Sequence, residues 1–275
     1  MKTVLQKLVG ICINIVGVFF PKLAARMALF LFTKPFKGGI DEKQSDFLDT
    51  AFREELSFNN MPIMTYRWLG TRETILLAHG WESNSARWQK LIVNLKQRGF
   101  GVVALDAPAH GRSGSNRFNA IIYSEFIKVV SDRFLPSIII GHSVGGMASA
   151  YYQSKYQNKT IEKTILLGAP SEFIDVLERY TSMLGLSKRV VKYFKLLLKD
   201  SFGLSPEEFS TAKYVEQISS KGLIIHDKKD QIIPYNDAVV INNKYKNSVL
   251  ISTEGYGHSL ATDEVSNYIY EFIEN

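Results

Sequence analysis

The chain has 275 residues, with 45% hydrophobic and 22% charged residues and a formal net charge of +6. That composition excludes a disordered, collagen-like or all-helical membrane protein. The charge is unevenly placed, because all 27 acids lie at or after Asp41 while six cations (Lys2, Lys7, Lys22, Arg26, Lys34 and Lys37) lie before it. The remaining sequence is neutral, so the basic face and interleaved aromatics that nucleic-acid binding needs are missing, and a membrane surface is the better partner hypothesis. Cys12 is the only cysteine, which rules out an intrachain disulfide and a cysteine-based zinc site. No two of the five histidines form a helical i,i+4 pair, so metal catalysis by a local histidine motif is not expected.

Residues 1–40 form an apolar, basic segment expected to be helical, from Val4 to Phe20 and, after Pro21-Lys22, from Leu23 to Phe32. Its longest uncharged run, Leu8 to Phe20, gives a helix of roughly 20 Å, short of the ~30 Å hydrocarbon core, so a simple span is disfavoured. Helices packed on the body or a partner, an interfacial anchor, and a cleaved signal all remain compatible with this pattern. The expected location is cytoplasmic, with membrane association through this segment as the variant.

Residues 50–275 read as an α/β domain. An opening antiparallel pair, 56–58 and 63–68, precedes the strand candidates 74–78, 102–105, 137–140, 164–167, 223–225 and 249–252. Their continuous Ile, Val and Leu content marks strands covered on both faces, and amphipathic stretches at 86–97, 120–134, 144–156, 236–245 and 259–272 alternate with them. About fifty residues separate the run at 164–167 from the one at 223–225, so 171–217 reads as an inserted helical lid with helices at 172–184, 188–199 and 206–217. In the second of these, Lys188, Arg189, Lys192, Lys195 and Lys199 alternate with an apolar side. That pattern suits a solvated helix covering a core, or contact with an anionic lipid or acidic substrate.

The sharpest motif is Gly141-His142-Ser143-Val144-Gly145-Gly146, directly after a buried strand and directly before a helix. A G-x-S-x-G turn of this kind projects a serine nucleophile, and only small flanking residues let the chain pass. Ser143 needs a base and the base needs an orienting carboxylate. His258, in Gly255-Tyr256-Gly257-His258-Ser259 after the last strand, is the expected base, and His226 reads as a strand-end residue touching a neighbouring loop. Asp230 lies farther out on its loop than Asp227, so Asp230 is the expected acid and Asp227 a turn cap. The amides of Trp81, in His79-Gly80-Trp81, and Val144 are the expected oxyanion donors, with His79 structural.

Together these residues resemble the α/β-hydrolase fold family, in its serine-nucleophile, esterase- and lipase-like branch. The resemblance runs from about Leu56 to the C-terminus and includes Asp106-Ala107-Pro108-Ala109-His110-Gly111-Arg112-Ser113, where it implies that Asp106 is structural and that His110 and Ser113 are not catalytic. It implies an eight-stranded, mostly parallel sheet, a lid after the sixth strand, and hydrolysis of a small-molecule carboxylic ester or thioester without a cofactor. Acyl transfer to an alcohol or thiol by the same residues, or a non-catalytic membrane-associated member of the fold, are the alternatives. A serine nucleophile argues against the branches that use aspartate, the haloalkane dehalogenases and epoxide hydrolases.

Overall fold

The computed structural model describes residues 2–275. Its backbone divides into two compact units, one made of residues 35–171 and 211–275, the other of residues up to 34 together with 172–210.

The larger unit is built on one eight-stranded sheet of order β1-β2-β4-β3-β5-β6-β7-β8. The strands are β1 (Phe52–Phe58), β2 (Met61–Trp68), β3 (Thr74–Ala78), β4 (Gly101–Leu105), β5 (Ile138–His142), β6 (Lys163–Leu167), β7 (Lys221–Asp227) and β8 (Ser248–Thr253). The β1–β2 and β2–β4 pairs are antiparallel and all others parallel. The apolar runs behave as their composition demands: β4 and β5 are buried along their whole length, under helices on both faces. One face carries Ile75, Leu77, Ile140 and Ile225 against Ile92, Leu95 and Ile269, and the other carries Leu76, Val103 and Ile139 against Phe126, Ile127 and Ala148.

Helices α5 (Ala120–Phe134) and α6 (Val144–Tyr156) span the lengths their periodicity predicts. Elsewhere local hydrogen bonds move the boundaries. Ser85 is tied through its amide and hydroxyl to Asp106, so the stretch expected as one helix from Ala86 begins as a 3₁₀ turn, Ser85–Trp88, before α4 (Gln89–Gln97). Thr262 caps α11 (Asp263–Glu274), which starts four residues later than expected because Leu260 has a left-handed backbone, φ 51°. A seven-residue helix, α3 (Glu42–Leu48), escapes the sequence reading; Asp41 and Gln44 close a reciprocal capping box at its start.

The smaller unit joins α1 (Lys2–Phe19) and α2 (Pro21–Thr33) to α7 (Phe173–Leu184) and α8 (Lys188–Phe202), the helices that leave the sheet between β6 and β7. Its core is Ala24, Ala25, Ala28 and Leu29 of α2 against Leu177, Leu184, Val190 and Phe194. The apolar side of α8 is therefore core, with its lysines outside. Helix α1 packs through small residues: a Cβ on Gly10 would lie 1.6 Å from the Leu184 carbonyl oxygen, and one on Gly17 2.5 Å from Val190 Cγ2. Asn14 closes the contact by donating to the Gly185 carbonyl and accepting from the Ser187 amide. The third helix expected at 206–217 forms only as α9 (Thr211–Val215), which packs on α6 and on α10 (Tyr235–Lys244) in the larger unit. Upstream of it, an extended bridge from Glu172 to Ser210, with the Phe173 amide on the Phe209 carbonyl, holds the chain out of helical geometry.

Replacing Gly10→Val forces α1 away from α7. The expected cost is about 1–3 kcal/mol within the smaller unit, seen as faster amide hydrogen exchange along α1 with protection of β3 to β7 unchanged.

Candidate active site

Ser143 stands in the single-residue turn between β5 and α6, at φ 53° and ψ −126°. A non-glycine residue holds this conformation only when its surroundings over-determine it. Its amide donates to the Leu167 carbonyl at 2.8 Å, extending the β5–β6 ladder one step past the strand. A Cβ on Gly141 would sit 2.5 Å from Gly146 Cα, and one on Gly145 2.4 Å from the carbonyl oxygens of Ala78 and His79. Gly141 is thus dictated by the tight return of the chain onto the first turn of α6, and Gly145 by the close passage of α6 over the end of β3.

Three of the residues singled out in the sequence meet here in one hydrogen-bonded row. The Ser143 hydroxyl lies 3.0 Å from His258 Nε2, and His258 Nδ1 lies 2.7 Å from Asp230 Oδ2. Nδ1–H donates to the carboxylate, which leaves Nε2 free to accept from the serine. Asp230 follows β7, and its other oxygen accepts from the amides of Ile232 (2.8 Å) and Ile233 (3.0 Å). Burial acts to raise the Asp230 carboxyl, but the bonds from His226, His258 and these two amides outweigh it and hold the group below the ordinary carboxylate range.

Asp227 turns the corner instead. It accepts from the Lys229 and Gly255 amides on Oδ1 and from the Thr253 hydroxyl and Tyr256 amide on Oδ2. Against the upward push of burial, those donors lower its carboxyl to about 2. Gly80 brings the loop after β3 to Ser143, since a Cβ there would lie 3.0 Å from Ser143 Cβ. Trp81 follows it with its ring between His110 and Phe118, and Val144 opens α6 with one of the helix's unpaired first-turn amides. His79 is buried beneath, donating from Nδ1 to the Gly80 carbonyl and accepting at Nε2 from the Ala107 amide. Asp106 is also buried, accepting from Ser85, Tyr66 and the Arg112 amide.

Three contributors escape the sequence reading in these roles. His226 Nε2 faces two acceptors, the Ile233 carbonyl at 2.9 Å and Asp230 Oδ2 at 3.3 Å, so that nitrogen carries the proton while buried Nδ1 finds no partner. His142 Nε2 donates to the His258 carbonyl at 2.8 Å, and Arg87 donates to the adjacent Ser259 carbonyl at 2.9 Å. Burial drives His142 well below the usual histidine range, so the ring 4.9 Å from His258 is neutral and does not oppose an imidazolium there. The His226-x-x-x-Asp230 spacing is visible in the sequence, but no local signal marks Arg87. Among the described residues, no cluster of three or more His, Cys, Asp or Glu side chains could hold a metal ion.

The depressed Asp227 carboxyl makes a directional prediction. Its stabilisation, about 2 kcal/mol for the shift from 3.8 to about 2, is complete above pH 3.8 and lost as pH falls through about 2. Asp227→Asn should lower Tm at neutral pH, and the gap to the parent chain should close in thermal melts taken toward pH 2.

Comparison with known proteins agrees with this architecture. The sequence model of the alpha/beta hydrolase fold matches residues 73–184. A bifunctional esterase/perhydrolase from Acinetobacter calcoaceticus is 24% identical over 255 aligned positions, covering 72% of this chain and 90% of that protein. Among solved structures, a thioesterase domain from the curacin biosynthetic pathway superposes with a TM-score of 0.61 at 17% identity, covering 82% of this chain and 99% of that one. A membrane phospholipase A superposes with a TM-score of 0.65 at 16% identity, covering 100% of this chain and 98% of that one. At those identities the structural likeness speaks for the fold alone. Sheet order, sequence match and superposition agree on one architecture, and the chain has the α/β-hydrolase fold.

Proposed function

We propose that this protein is a serine hydrolase that cleaves a small-molecule carboxylic ester or thioester through an acyl-enzyme, with Ser143 as nucleophile, His258 as base and Asp230 as its orienting acid. The observation that carries the reading is the unbroken row from Ser143 Oγ through His258 to Asp230, at 3.0 and 2.7 Å. His258 takes the hydroxyl proton as Ser143 Oγ bonds to the acyl carbon. Asp230, ionised and acceptor-only, stabilises the imidazolium that results. The Trp81 and Val144 amides are the proposed donors to the oxyanion. Collapse of the tetrahedral intermediate expels the alcohol or thiol, which receives its proton from His258. Water then repeats the sequence on the acyl-serine and releases the acid.

His226 is a positioning residue in this reading: its ring N–H helps hold the Asp230 carboxylate at the angle His258 requires. The esterase and lipase names among the sequence relatives favour acyl chemistry and do not choose the acyl group.

Purified protein should hydrolyse short-chain p-nitrophenyl or thioacyl esters and react with a fluorophosphonate probe. Ser143→Ala should abolish labelling and cut kcat by about a thousandfold or more; equal turnover by parent and variant would overturn the assignment. His226→Phe keeps a planar ring at the position and removes one donor to a charged acceptor, about 1.5–3 kcal/mol. It should lower kcat roughly tenfold or more with KM little changed and fluorophosphonate labelling slowed but retained.

A further inference from the structure

Helix α1 has the usual arrangement of an amphipathic helix turned inside out. Its buried side is Gly10, Ile13 and Gly17, while the side toward solvent carries Val4, Leu8, Ile11, Ile15, Val18 and Phe19. At 100° per residue these six cover about a third of the circumference without a charged group among them. The exposure is large: Ile15 is 61% exposed and Phe19 75%. Water-facing stripes of this size on a folded protein mark a binding surface.

The surrounding charge selects the occupant. Lys7, Lys22, Arg26 and Lys34 are exposed on or beside the two N-terminal helices, and no Asp or Glu precedes Asp41. A second copy seated face to face would set cation against cation with no carboxylate from either segment. Anionic lipid supplies the missing charge at headgroup depth and takes the apolar stripe below it. No helix among the described residues is long and apolar enough to cross a membrane, so the stripe lies along the surface and not through it.

We infer that α1 is an interfacial anchor whose Val4–Phe19 stripe inserts into an anionic lipid surface, with the flanking cations at the headgroups. The inference concerns where the protein acts and is independent of Ser143 chemistry. Cys12, the only cysteine, is exposed on the same helix and serves as a native attachment point for an environment-sensitive fluorophore.

The test uses the full chain with vesicles of phosphatidylcholine alone or mixed with phosphatidylglycerol. Co-sedimentation with the mixed vesicles is expected, with a blue shift of the Cys12 probe and several-fold weaker binding as salt rises toward about 0.5 M. Leu8→Asp and Ile15→Asp change only solvent-facing positions and should each weaken vesicle binding about tenfold or more, with helicity and Tm retained. Val93→Asp, an exposed apolar position on the larger unit, should bind as the parent does. Three results would overturn the inference: no binding by the parent, undiminished binding by both aspartate variants, or a lipid-free dimer that Ile15→Asp converts to monomer. Because the readout is binding, it stands or falls separately from ester hydrolysis.

Discussion

The larger unit is organised around one strained residue. Ser143 occupies a left-handed conformation that costs a side-chain-bearing residue about 1–3 kcal/mol. The strain is held by the Ser143 amide on the Leu167 carbonyl and by α6 passing in contact with the carbonyl ends of β3. That passage requires glycine at 145, the turn itself requires it at 141, and the loop after β3 is carried to the same point. Parallel pairing of β5 with β6 and of β6 with β7 then sets the carboxyl ends of three strands side by side. Asp230 and Ser143 thereby lie within reach of a single imidazole.

The two aspartates beyond β7 divide the labour by the donors they meet. Asp227 collects amides from both sides of the β8 corner and fixes the start of the loop that carries His258. Asp230 collects one pair of amides and two imidazoles. Farther along, His142 and Arg87 hold the carbonyls of residues 258 and 259. His258 therefore sits on a loop gripped by its amides at one end and by its carbonyls at the other. Both carboxylates stay ionised despite burial, because each oxygen is given donors and the low dielectric strengthens those bonds.

Much of this was legible in the sequence wherever a residue's constraint is local. Buried strands show as uninterrupted Ile and Val, and the turn at Ser143 shows as obligatory small residues, because backbone sterics act over a few positions. The row of Ser143, His258 and Asp230 could be expected from loop position and chain order. Hidden were the contacts made by folding distant segments together. Arg87 meets the Ser259 carbonyl across more than 170 residues, and nothing near Arg87 announces it. The sequence at 206–217 predicts a longer helix than α9, because the Glu172–Ser210 bridge that interrupts it is non-local. For α1 the spacing revealed a helix but not which side would be covered, since Gly10 and Gly17 earn their place only against Leu184 and Val190.

The composition of the smaller unit has a consequence for synthesis. Helices α1 and α2 leave the ribosome well before α7 and α8, which cover their inner side and follow about 140 residues later. At translation rates of about 5–20 residues/s, the order of ten seconds passes in which the nascent segment is apolar on both sides. During that interval the whole of β1 to β6 is made, so the sheet gains most of its strands while its own N-terminal helices still lack their partners. A chaperone or a lipid surface that shelters the nascent helices would raise the yield of folded chain without touching the finished protein.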